Sequence, residues 1–210
     1  MTGSLKMILQ LHPRQRRHLL IDIDTQKDFL LPTGSACVRN QAKVLSKIRR
    51  IMAWVMRENV PVISTVEVYP NNNGCSEINY CLDGTDGQRK VLCTLLRERM
   101  SFPADDKNAL PADILLAYKQ VILHKRCIDP FDEPRIERLL SEVQADEFVL
   151  IGAGTEDAVR ATAMGLLQRG KKVRIIVDAL GSHSTKEAKL ALRKMKTKGA
   201  KLIMTRDIAG

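Results

Sequence analysis

Short apolar runs alternate with stretches of helical periodicity along this chain. Residues 18–23 form a buried-strand run ending in the acidic group Asp22-Ile23-Asp24. Over residues 40–59 the apolar positions Val44, Ile48, Ile51, Val55 and Met56 recur at helical spacing, and residues 61–66 read as a second strand. Residues 69–87, rich in Asn, Gly and Asp, read as a long loop of the kind that in a compact domain is functional or disordered. A helical segment is expected at 90–99, a third strand at 119–124, and a helix at 133–143 with Ile136, Leu139 and Leu140 on one face. A fourth strand at 148–151 runs into Gly152-Ala153-Gly154-Thr155, and a helix starting near Thr155 runs to about Arg169, where Gly170 supplies the stop. A fifth strand is expected at 173–177, a helix at 184–197 and a sixth strand at 201–205.

This alternation predicts a three-layer α/β/α, doubly wound (Rossmann-like) fold, its mainly parallel six-stranded sheet covered by helices on both faces. The whole of 18–210 reads as one domain, preceded by a basic, loosely ordered leader at 1–17. Ligands in such sheets bind beyond the carboxyl ends of the strands. That rule gathers Asp24 after strand one, Lys125 after strand three and the Gly-rich turn after strand four into one crevice.

The Gly-rich turn narrows the chemistry. The first turn of a helix points unpaired backbone N–H groups outward and favours anions and oxyanions. A thiol at the position of Ala158 would have its thiolate stabilised by that helix end. A methyl group stands there instead.

The chain has 210 residues, 44% hydrophobic and 28% charged, which reads as soluble and globular. No apolar run approaches the ~18–20 residues of a membrane span, and the leader lacks a small-residue cleavage site. Five cysteines (Cys37, Cys75, Cys81, Cys93, Cys127) without paired metal spacing point to reduced thiols in a cytoplasmic protein. His12, His18, His124 and His183 are scattered, so no metal site is expected. The net charge of +10 concentrates at residues 14–18 and in the C-terminal Lys/Arg tail. Such a balance permits weak polyanion binding, but no aromatic residues interleave the tail, and a solvated basic helix face is the simpler reading.

Several segments together resemble the isochorismatase-like cysteine hydrolases. Asp24-Thr25-Gln26-Lys27-Asp28-Phe29 after an apolar strand is similar to that family's Asp-x-Gln-x-Asp-Phe opening. Lys125 with Phe131 six residues on, Gly152-Ala153-Gly154-Thr155 with Val159 and Thr162, and Asp178-Ala179 resemble three further segments. Cys81-Leu82-Asp83-Gly84-Thr85-Asp86-Gly87 resembles the family's Cys-x-x-Gly-Thr-x-Gly loop.

The resemblance implies an active site of aspartate, lysine and cysteine, which fall on Asp24, Lys125 and Ala158, so the nucleophile does not carry over. It implies a cis peptide at Ala153–Gly154, ligand or oxyanion contacts from Ala153, Gly154, Thr155 and Asp157, and a pocket including Phe29 and Phe131. Nicotinamidase-type members bind zinc through an Asp-x-His motif, where this chain has Glu67-Val68-Tyr69; no cofactor is expected. Glu156 and Asp157 read as carboxylates complementing the helix dipole. Cys127, two residues from Lys125, is the alternative thiol, without oxyanion donors; Cys81 has no evident base. Three readings follow: a non-catalytic binder of a small molecule or scaffold, a vinyl-ether hydrolase using Asp24 as general acid, or a cysteine amidase in which Ala158 replaces an original cysteine. The resemblance also implies a homo-oligomer.

Overall fold

The structure, a computed structural model, describes residues 16–71, 78–104, 110–111 and 114–210. Residues 1–15 of the expected leader, with His12, and Cys75 in the long loop lie outside the described residues. Arg16 and Arg17, assigned to the leader above, belong instead to the first strand.

That strand, β1 (Arg16–Ile23), is central because both its faces are apolar: Leu19, Ile21 and Ile23 enter one core cluster and Leu20 the other, all fully buried. In chain order there follow α1 (Lys27–Leu30), α2 (Gln41–Arg57), β2 (Val62–Glu67), β3 (Arg99–Phe102), α3 (Ile114–Ala117), β4 (Gln120–Lys125), α4 (Pro134–Glu142), β5 (Ala145–Gly152), α5 (Ala158–Gln168), β6 (Val173–Leu180), α6 (Thr185–Thr197), β7 (Lys201–Ile203) and α7 (Arg206–Ala209). Among the described residues the sheet has seven strands in the order β3-β4-β2-β1-β5-β6-β7, and every pairing between them is parallel.

Helices cover both faces. Ile136 and Leu140 of α4, Val159 and Leu166 of α5 and Met195 of α6 share a core with Leu19, Ile21 and Ile23. On the other face, Val44, Ile48, Ile51 and Val55 of α2 pack with Leu20, Val62, Val149 and Ile176. Met56, expected on the buried stripe of that helix, is exposed, and Trp54 is buried.

The seventh strand is the main departure from expectation. Val91, Leu92, Leu95 and Leu96 mimic helical spacing, yet residues 90–99 hold one 310 turn at Leu92–Thr94 followed by edge strand β3. The buried amide of Gln120 decides the matter: its Nε2 donates to Thr94 O at 2.8 Å and its Oε1 accepts from Leu96 N at 2.8 Å. Backbone groups that a helix would pair internally are thereby taken by a side chain of the neighbouring strand.

The chain leaves β1 for β2 on one side and returns to β5 on the other. The carboxyl end of β1 is therefore the topological switch point, where open α/β sheets place ligands. No helix among the described residues is long and apolar enough to cross a membrane.

Candidate active site

At the end of β1 the chain turns through Asp24, whose φ of 48° lies in the left-handed region that aspartate tolerates better than bulkier residues. Thr65 on β2 holds it: the Asp24 amide donates to Thr65 O at 3.2 Å, and the Thr65 hydroxyl donates to Asp24 Oδ1 at 2.7 Å. Gln26 then stitches three segments together. Its Nε2 donates to Glu67 O (2.7 Å) and Gln88 O (2.9 Å), and its Oε1 accepts from Glu67 N (2.9 Å). Asp28 fixes the loop: its carboxylate accepts from Ser35 N at 3.0 Å and Cys81 N at 2.7 Å. Gly87 packs so close that a Cβ would sit 2.2 Å from Asp28 Oδ2. The Gln and second Asp of the Asp-x-Gln-x-Asp pattern thus position the turn that carries Asp24.

Parallel pairing of β2 with β4 sets Glu67 opposite Lys125. The Lys125 ammonium, 0% exposed, lies 3.0 Å from Asp24 Oδ2 and donates to Glu67 Oε2 at 3.1 Å and Cys127 O at 2.8 Å. Burial alone would lower the Lys125 pKa, but the Asp24 and Glu67 carboxylates outweigh it and hold the group above its ordinary value. Glu67 is pushed up, first by its own burial and further by Asp24, against the pull of Lys125 and of the Tyr69 hydroxyl, which donates to Glu67 Oε1 at 2.7 Å. Asp24 Oδ2 is buried and, although in ionic contact with Lys125, accepts no hydrogen bond among the described residues.

The raised Glu67 pKa makes a signed prediction. A carboxyl raised above its ordinary value near 4.5 contributes stability that is complete below that value and lost as pH rises through the folded-state pKa. Glu67→Gln should therefore gain stability relative to the parent as pH goes from about 4 to about 8. Urea unfolding across that range checks it, and a constant difference would contradict it.

The third strand end supplies the turn. Gly152 has a φ of 144°, and a Cβ there would lie 2.0 Å from Ile23 O, so only glycine lets β5 run this close to the end of β1. Ala153 N donates to Ile23 O at 2.9 Å. Helix α5 begins at Ala158, three residues later than Thr155, and the Ala158 amide makes no hydrogen bond among the described residues.

These strand ends enclose a cavity of about 250 Å³ lined by Asp24, Phe29, Ala36, Glu67, Tyr80, Ile128, Ala153, Gly154, Asp157, Ala158 and His183. Phe29, Tyr80 and His183 form its aromatic side, with the Phe29 ring 5.5 Å from Tyr80 and 6.1 Å from His183.

A family model described as the isochorismatase domain matches residues 18–207. The chain belongs to the isochorismatase family. Solved structures share the fold. A pyrazinamidase of Pyrococcus horikoshii in complex with zinc superposes at TM-score 0.69 and 23% identity, covering 90% of this chain and 99% of that one. An isochorismatase family protein from Desulfovibrio vulgaris gives 0.71 and 20%, covering 91% and 96%. The MAR1 ribonuclease from Caenorhabditis elegans gives 0.61 and 21%, covering 92% and 79%. No curated protein matches the chain.

Within this isochorismatase-family fold, Asp24, Phe29, Ala153, Gly154, Asp157 and Ala158 all reach the cavity wall, and Lys125 bridges the carboxylates Asp24 and Glu67 on it. Other expectations need correction. Thr155 is turned away, because its amide and hydroxyl both donate to Gly181 O, at 2.9 and 2.7 Å. The Ala153–Gly154 peptide is trans. Glu156 precedes the helix and clamps the next loop, accepting from His183 N at 2.7 Å and Ser184 N at 2.8 Å. Cys127 lies off the wall with its Sγ 3.1 Å from Asp129 O, and burial raises its pKa. Cys81 is buried and likewise raised, by desolvation and then by Asp28.

Phe131 is also off the cavity wall. Its ring lies under the Arg169 guanidinium (4.0 Å to the centroid) and against Gly165 of α5, where a Cβ would come 2.1 Å from the ring. In Gly165→Ala, the gain in helix propensity of about 1 kcal/mol opposes overpacking of about 1–3 kcal/mol. Overpacking wins, and the urea midpoint should fall with an unchanged m-value.

Zinc does not fit the residues present. Glu67 is engaged by Lys125 and Tyr69, the motif's histidine is a tyrosine, and no group of three His, Cys, Asp or Glu among the described residues could hold a metal. The sequence passed over Glu67 as part of a failed metal motif. It also missed Tyr80 and His183, whose aromatic character was the available signal.

Proposed function

We propose that this isochorismatase-family chain binds a small molecule in its strand-end cavity and has lost the family's thiol chemistry. The composition of the wall carries the reading: Ala158 lines it where the resemblance places the nucleophile, and among the described residues no cysteine, serine or threonine shares it. The family resemblance ties amide hydrolysis to a cysteine nucleophile, which this wall lacks among the described residues. What remains is a pocket of carboxylates, aromatic rings and backbone amides suited to holding a ligand.

One observation favours a second reading, thiol-independent hydrolysis of a vinyl ether. Glu67 lines the cavity with its pKa raised, chiefly by burial and against the pull of Lys125, as suits a general acid.

A panel of small primary amides, activated esters and vinyl ethers tests the two together. Binding without turnover, unaffected by thiol alkylation, is expected. Amide or ester turnover above buffer overturns the proposal. Vinyl-ether turnover lost in Glu67→Gln establishes the second reading.

A further inference from the structure

We infer that the cavity selects a small organic cation, an ammonium or amidinium carried on a flat apolar body; the inference rests on the cavity being a ligand site. Its charge is the opposite of the chain's. The protein as a whole is at +10, yet among the described residues the cavity wall carries three carboxylates, Asp24, Glu67 and Asp157, and no lysine or arginine. Low-dielectric walls focus such a local field, so the potential inside follows the lining rather than the net charge.

Two features oppose this sign, and their sizes decide against them. Lys125 sits beside Asp24 and Glu67 and offsets one negative charge. The α5 N-terminus, with the free Ala158 amide, contributes about half a positive charge. Three carboxylates exceed their sum, and the balance stays negative even with Glu67 protonated.

A second observation leaves room for a donor from outside. Asp24 Oδ2 is buried on the wall of this cavity, and among the described residues its one partner is the ionic contact with Lys125 at 3.0 Å, which leaves it short of a hydrogen bond. A buried acceptor in that state gains from an N–H brought by a ligand. Phe29 and Tyr80 add aromatic rings, whose faces attract cations, while Asp157 is exposed with no ion-pair partner among the described residues. A volume of about 250 Å³ falls below that of drug-sized pockets and suits a single ring with a short substituent.

The test uses the full chain and three ligands of one shape, benzylammonium, benzyl alcohol and benzoate, titrated calorimetrically at about pH 8, where an ordinary imidazole is neutral. Benzylammonium is expected to bind about tenfold tighter than benzyl alcohol, the scale of a desolvated cation–π and carboxylate contact, with benzoate weaker still. In Asp157→Asn that preference should fall several-fold. The Asp157 side chain makes no cap hydrogen bond, so the substitution removes charge without removing a cap bond, and an unchanged melting curve shows that the variant is folded. Benzoate or benzyl alcohol binding as tightly as benzylammonium overturns the inference, as does an absence of benzylammonium binding or an unchanged preference in Asp157→Asn. Binding order is read separately from amide turnover, so this inference and the loss of thiol chemistry fail by different results.

Discussion

Lys125→Met is expected to destabilise the protein by about 3–5 kcal/mol, because it leaves the buried Asp24 and Glu67 carboxylates without the cation that both contact. For a domain of this size each kcal/mol moves Tm by roughly 2–4 °C, so the loss is visible in a simple melt. The cause is the stranded carboxylates, not the missing methylenes, since methionine replaces most of the apolar stem. Adding Asp24→Asn and Glu67→Gln should therefore restore much of the loss. A Tm within a degree or two of the parent, or no recovery in the triple variant, would show that the three groups are not a coupled buried cluster.

Such a cluster does little for stability. Apolar residues of similar volume replace a buried ion pair at no cost in many proteins. The chain also carries a second buried pair, Lys90 with Asp22 at 2.8 Å, fully tied to Thr25 and Ser64. Both oxygens of Asp22 accept hydrogen bonds, whereas among the described residues Asp24 Oδ2, on the cavity wall, has only its ionic contact with Lys125. The contrast separates a pair that braces the sheet from one that faces the cavity.

The strands and main helices were legible because β1, β5 and β6 are continuous apolar runs and α2 and α4 carry plain one-sided patterns. β3 was not, because edge strands need little apolar character and its neighbour Gln120 captured the backbone that a helix would have used. Asp24, Lys125 and Ala158 could be placed from strand ends alone. Glu67 and His183 could not: the β2–β4 register brings Glu67 to Lys125, and Glu156 pins the loop that carries His183. Phe131 shows the reverse error, a sequence neighbour of Lys125 that the chain spends on packing α5.

The second large effect is a gain. Ala158→Cys puts a thiol at the first residue of α5, on a cavity wall shared with Asp24 and beside an amide that has no partner among the described residues. The helix end lowers such a thiol's pKa, Asp24 is within the same cavity to take its proton, and about 250 Å³ leaves room for one sulfur. Background is low, since burial raises the pKa of Cys37, Cys81, Cys93 and Cys127. Turnover of activated esters should rise about 10²–10⁴-fold over the unmodified chain, the usual worth of a positioned base.

The most direct measurement is the rate of iodoacetamide labelling at position 158 in Ala158→Cys, read by mass spectrometry against the native cysteines in the same molecule. Labelling about tenfold or more faster than at any described native cysteine is the result predicted for a site intact except for its nucleophile. Labelling no faster than at those native thiols would show that the seat itself, and not only its occupant, is missing.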